Sequence, residues 1–179
     1  MKNNYLITAI LITLALSERL FFDLGPNVEL VTTGMIILAA FFGSRASIFF
    51  ILATMIISDL IIGNSTIWIF TYSGFLIPAI AASVILKKDK STLLATGTGI
   101  GSNMFFYLWT NFGVWALGNG AMYPKTLSGL MHSYINGLPF LKMQFMSTLL
   151  ILPVSFALIH LVRSTLLETN FLQKLEHQS

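Results

Sequence analysis

Six apolar segments follow one another along the 179 residues, separated by short polar or glycine-containing turns, which points to helices packed in a lipid bilayer. The segments run about 5–22, 30–42, 46–62, 67–86, 93–109 and 140–162. Most approach the roughly 20 residues that a helix needs to cross hydrocarbon. The second is shorter, so it must tilt little or sit inside protein. Composition agrees, with 55% hydrophobic and 9% charged residues, where soluble domains carry about 25% charged. The expectation is an all-α membrane protein, a single domain over 1–179 with six transmembrane helices in one bundle.

The first segment follows Lys2, is apolar from Tyr5 to Leu16 and closes on Ala15-Leu16-Ser17, much like a secretory signal with its cleavage site. A cleaved signal would lead into polar sequence. Five more apolar segments follow instead, so the stretch is read as the first span. Turns are marked by Asp23 to Glu29, by Gly43-Ser44-Arg45, by Gly63-Asn64-Ser65 and by Lys87-Lys88-Asp89-Lys90. Pro153 is expected to bend the last span.

Six spans put both termini on one side. With the termini in the cytoplasm, Lys2, Arg45, Lys87, Lys88, Lys90, Arg163 and Lys174 lie inside, and Arg19, Lys125 and Lys142 lie outside. This imbalance satisfies the positive-inside rule. It also places the segment from Asn103 to Lys142 at the external face.

Several function classes fall away. The net charge of +3 and pI near 9.3 come from scattered bases with no basic, aromatic-interleaved face, so no nucleic acid is expected. The absence of cysteine removes disulfides, iron–sulfur clusters and thiolate chemistry. His132, His160 and His177 lack metal-ligand spacing, and no serine–histidine arrangement stands out. Gly97, Gly99 and Gly101 lie in an apolar helix without the lysine of a phosphate loop, so they read as close helix packing. No catalytic residue, metal or cofactor is expected.

What remains is the segment from Asn103 to Lys142, which gathers polar and aromatic side chains in an otherwise greasy chain. Asn103, Tyr107 and Asn111 sit at i, i+4 and i+8, one stripe of a helix. Asparagine is costly against lipid, so the stripe faces the bundle and either glues helices together or lines a pocket. Tyr123-Pro124-Lys125-Thr126 resembles a helix start, and Asn136-Gly137-Leu138-Pro139 a stop. Between them a short external interfacial helix is expected. Leu127, Leu130, Met131, Tyr134 and Ile135 would form its apolar face, with Lys125, Ser128, His132 and Asn136 opposite. Such a helix either rests on the interface or caps a cavity.

Trp68, Tyr72 and Phe75 give the fourth span an aromatic face near the same end, which also suits an interfacial belt. Glu18, Arg19, Asp23, Glu29 and Asp59 stand near the external ends, where charges must surface or pair. Arg19 and Asp23 are four apart and can satisfy each other, leaving Glu18 and Asp59 as the carboxylates of interest. Asp59 either serves a ligand or bonds a nearby turn amide. The candidate substrate-binding residues are therefore Asp59, Trp68, Tyr72, Asn103, Tyr107, Trp109, Asn111, Trp115, Tyr123, Lys125 and His132. Trp68, Trp109 and Trp115 would stack on a planar ring. Lys125 would meet an anionic group and Asp59 a cationic one.

The residues Arg19-Leu20, the Pro26-Asn27 turn, Ser58-Asp59-Leu60, Thr110-Asn111-Phe112-Gly113-Val114-Trp115 and Tyr123 to Leu130 resemble an uncharacterised family of small prokaryotic six-span membrane proteins. That family is similar to the substrate-binding S components of energy-coupling factor (ECF) transporters. The resemblance implies an S-component-like bundle in the prokaryotic inner membrane that captures a vitamin-like or nucleobase-like solute from outside. It also implies docking to a coupling subunit with a pair of ATPases. The first span departs from the alanine-x-x-x-alanine docking pattern, offering Ala9 and Thr13 at that spacing. A structural or scaffold protein without a solute is the alternative, and an intramembrane enzyme using His132 or Asp59 a third.

Overall fold

The computed structural model describes the backbone of residues 2–22, 30–63 and 66–176, and the side chains of 5–21, 30–63 and 66–161. Every element among them is helical. In order these are α1 (Lys2–Ser17) with a π-helical turn (Glu18–Phe22), α2 (Val31–Phe42), α3 (Ser44–Ile62), α4 (Trp68–Ile85), α5 (Thr92–Leu117) and α6 (Leu127–Glu176). The expected Arg19–Asp23 pair, Glu29, the Pro26-Asn27 turn and Asn64-Ser65 involve residues outside those described.

Among the described residues three stretches are long and apolar enough to cross a membrane: α3, α4 and Leu127–Leu161 of α6. The chain is thus a membrane protein by length and composition of its helices. α5 is longer than α3, but Thr96, Thr98, Ser102 and Thr110 dilute its apolar character. Each of these hydroxyls donates to the carbonyl one turn back, which lets it sit in a low-dielectric setting.

The 12 residues of α2 span only about 18 Å, against a hydrocarbon core of about 30 Å. The bundle resolves this by enclosing it. Every residue from Val31 to Ala40 is buried, and α2 packs on all five other α-helices. A single residue, Gly43, turns the chain from α2 into α3 with φ +83° and ψ 179°. That backbone conformation is nearly restricted to glycine. The reversal brings Gly34 under the Phe50 ring, where an added Cβ would lie 2.5 Å from Cζ. Ser47 Oγ donates to the Met35 carbonyl at 2.9 Å.

Landmark contacts define the two ends of the bundle. Arg19, Asp59 and Tyr72 meet at what is called here the Trp68 end. At the Arg45 end, His160 Nε2 lies 3.0 Å from the Lys90 carbonyl, and Phe41 packs on Phe156.

The expected short external helix is not a separate element. α6 runs unbroken from Leu127 through both Pro139 and Pro153. Its start falls at Leu127 rather than beside Pro124, with Thr126 Oγ1 accepting from Gly129 N at 3.2 Å as the cap. Proline removes one donor, whereas a break inside hydrocarbon would expose several backbone groups, so the helix continues.

The expected apolar face is inward only in part: Leu130 and Tyr134 are half-buried, and Ser128, His132 and Asn136 are exposed as expected. Leu127, Met131 and Ile135 are exposed. The buried stripe is Gly129, Ser133 and Gly137, packed against the α5 side of the bundle. Helices in lipid associate through small residues, because apolar side chains gain nothing by leaving hydrocarbon.

Of Gly97, Gly99 and Gly101 in α5, close packing holds for Gly99 alone, whose added Cβ would lie 2.8 Å from both Leu152 and Thr148 side chains. Gly97 and Gly101 have nothing within 4 Å. They line an outward groove of about 420 Å³ between α4 and α5.

Candidate functional site

α4 and α6 both pack on α5 but not on each other. At the Trp68 end this leaves a cleft of about 240 Å³ between them. α4 supplies Ile67 and Thr71; α5 supplies Phe106, Tyr107, Thr110, Asn111 and Val114; α6 supplies Phe140, Leu141 and Gln144. Apolar walls thus carry a few polar groups, the usual make-up of a small-molecule site.

The polar stripe of α5 forms as its spacing implies, yet its three members do different work. Asn103 is 2% exposed and ties three helices together. Its Oδ1 accepts from Thr32 Oγ1 of α2 at 3.1 Å, and its Nδ2 donates to Thr148 Oγ1 at 2.7 Å and to the Gln144 carbonyl at 3.1 Å on α6. Of the two sequence readings for this residue, glue is the one its contacts carry. One turn on, Tyr107 lines the cleft and donates its hydroxyl to the Tyr134 carbonyl at 2.6 Å. Asn111 lines it too. Its Nδ2 donates to the Tyr107 carbonyl at 2.8 Å, and its amide lies where a Cβ on Gly137 would come within 2.6 Å of Oδ1. The absence of a side chain at Gly137 is what lets Asn111 fit between the helices.

Asp59 and its neighbours form a separate cluster toward α1 and α3. Asp59 Oδ2 accepts from the Tyr72 hydroxyl at 2.8 Å, and Oδ1 lies 3.9 Å from Arg19 Nη2. Arg19 Nε donates to Ser58 Oγ at 3.1 Å. Glu18, 7% exposed, is buried at the same end of α1. Trp68 meets Tyr72 edge-on with centroids 6.0 Å apart, and its own face is half exposed. None of Asp59, Trp68 or Tyr72 lines the cleft.

The pairing implies coupling. Arg19→Met and Asp59→Asn each remove one side of a partly buried pair, so the double variant is expected to lose about 1 kcal/mol less than the sum of the singles. Detergent-unfolding midpoints of the four proteins in the cycle would measure it.

Trp115, Tyr123 and Lys125 serve the connection from α5 to α6. Trp115 Nε1 donates to the Pro124 carbonyl at 3.0 Å. Lys125 Nζ donates to the Trp115 carbonyl and, at 2.8 Å, to that of Ala116, while lying 5.5 Å from the Trp115 ring centroid. A cation on the last carbonyls of a helix offsets its dipole and caps its open acceptors. Asn136 Nδ2 donates to the Tyr123 hydroxyl at 3.2 Å. His132 is exposed on α6. Trp109 Nε1 donates to Ser73 Oγ at 2.8 Å, and its ring joins Phe70, Phe105 and Phe112 in an aromatic row at the α4–α5 seam.

The cleft therefore brings together Tyr107 and Asn111 from the sequence candidates and adds Thr71, Thr110, Gln144, Phe106 and Phe140. A signal existed for one of these. Gln144 is a lone amide within the apolar run of α6, and polar residues at such depth commonly face the bundle interior. Thr71 and Thr110 gave none, since threonine is unremarkable in a transmembrane helix. Among the described residues no group of three or more His, Asp or Glu side chains converges as a metal site.

A family model, described as a family of unknown function (DUF6580), matches residues 1–171. The chain belongs to that family. No curated protein and no solved structure matched this DUF6580 member. Its cleft, its Asp59 cluster and the Thr110 to Trp115 motif all lie within the matched residues.

Proposed function

We propose that this DUF6580 chain is a membrane-embedded solute-binding component of an uptake transporter. In this reading it is an S-component-like bundle of six spans with cytoplasmic termini in a prokaryotic inner membrane. It captures a vitamin-like or nucleobase-like molecule at its external face and hands it on with a coupling subunit and ATPases. The observation that carries the reading is the cleft at the Trp68 end, lined by the polar Tyr107, Asn111, Thr71, Thr110 and Gln144 together with Phe106 and Phe140. A few polar groups set among apolar walls are the usual make-up of a small-molecule site. The excess of Lys and Arg at the opposite end supports an outward-facing cleft.

A scaffold role without a solute is the second reading. The groove along Gly97 and Gly101 favours it, as an open small-residue surface that another membrane helix would fit.

The chain has no cysteine, so single reporters are clean. Val114→Cys, in the cleft, is expected to react with a membrane-impermeant maleimide on intact cells. Lys87→Cys, at the Arg45 end, is expected to react only after permeabilisation. The reverse pattern would remove external capture.

A further inference from the structure

We infer that the solute taken by this cleft is uncharged: a compact ring or amide with hydrogen-bonding edges and no ionised group. The inference rests on the solute-binding reading above and adds the chemical class. The polar part of the lining is two hydroxyls, two carboxamides and a phenol, from Thr71, Thr110, Asn111, Gln144 and Tyr107. Among the described residues no Asp, Glu, Lys, Arg or His lines the cleft.

Among the described residues, the charged side chains at this end lie outside the lining, the buried Glu18 included. Arg19 and Asp59 face each other, Lys125 sits on the α5 carbonyls, and His132 and Lys142 are exposed. An ion entering the cleft would lose its water and gain no counter-charge, a cost of several kcal/mol in a low-dielectric site. A neutral ring loses far less. It gains contact with Phe106 and Phe140 along with carboxamides, a group type that both donates and accepts. Asn111 illustrates the fit, since its Nδ2 is held by the Tyr107 carbonyl while its Oδ1 makes no hydrogen bond among the described residues. Size narrows the class further. About 240 Å³ lies below the roughly 300 Å³ lower bound of drug-sized pockets.

The test uses the Val114→Cys protein in lipid nanodiscs and the small-molecule extract of the cells that make it, passed over cation- and anion-exchange resins in series at pH 7. The unretained neutral fraction is expected to slow maleimide labelling by about tenfold, and material eluted from either resin is expected to leave the rate unchanged. Protection by an eluted ionic fraction would overturn the inference while leaving solute binding intact. Failure of the whole extract to protect would overturn solute binding at this cleft, and the inference with it. Identical protection of a Leu93→Cys control, exposed at the far end of α5, would mark the effect as non-specific and count against both.

Discussion

Replacing Asn103 by leucine is expected to destabilise the protein by about 2–3 kcal/mol, lowering its thermal midpoint by about 5–10 °C in detergent. The side chain is the one group that Thr32 of α2 and Thr148 and Gln144 of α6 all bond. Leucine keeps much of the volume but takes those three bonds away inside a buried space, where polar groups find no water. The comparison with Asn103→Asp separates bonding from size. Aspartate is nearly isosteric but puts a carboxylate oxygen opposite the Gln144 carbonyl where an N–H had donated. It is expected to be more harmful than leucine. If Asn103→Leu melted within about 1 °C of the unaltered protein, the amide would not be holding α2, α5 and α6 together.

Gly113→Leu is expected to cost about 3 kcal/mol and to open the seam between α4 and α5. An added Cβ would fall 2.4 Å from Phe70 Cγ and 2.9 Å from its Cβ, near the root of the side chain rather than at a tip that could swing aside. Phe70 is also hemmed in by Trp109 at 5.0 Å and Phe112 at 6.1 Å between centroids. The helices must therefore separate. Gly97→Ala on the same helix is the control, because nothing lies within 4 Å of its added Cβ. It should leave stability unchanged or raise it by up to about 1 kcal/mol through better helix propensity. Equal effects of the two substitutions on unfolding midpoints would show that helix propensity, not the α4–α5 contact, sets the response.

Local signals in the sequence reached some elements and not others. α3 ends at Ile62, next to Gly63 with φ +87°, and α4 covers Trp68–Ile85, close to the bounds expected from their apolar runs. The spacing of Asn103, Tyr107 and Asn111 was enough to turn all three inward. Asn136-Gly137-Leu138-Pro139 misled because stop signals describe a helix in water. Here Gly137 is a contact for Asn111, and lipid penalises a broken backbone more than a proline. The apolar face assigned to the start of α6 held for Leu130 and Tyr134 and failed for Leu127, Met131 and Ile135 for a related reason. In hydrocarbon, leucine gains nothing by burial, so glycine and serine took the interface.

Trp115 and Lys125 are coupled across a connection that no helical period describes. Residues of the cleft from α4 and α6, Thr71 and Gln144 among them, are joined to the α5 stripe by tertiary contacts that no local period announces, such as the bond from Asn103 Nδ2 to the Gln144 carbonyl. A single sequence carries that information weakly. Asp59 was read as serving a ligand or bonding a turn amide, and with Asp23 assigned to Arg19 its pairing with Arg19 and Tyr72 stayed hidden.

Native mass spectrometry of the gently purified protein tests solute binding most directly. The unaltered chain is predicted to carry a small molecule through purification. Asn111→Ala should lose it while melting within about 3 °C of the unaltered protein, since the substitution removes one local hydrogen bond. Trp115→Ala, which loosens the α5–α6 connection outside the cleft, should keep it. An unaltered protein that flies bare, or an Asn111→Ala protein that holds the same molecule as firmly, would contradict a solute site between α4, α5 and α6.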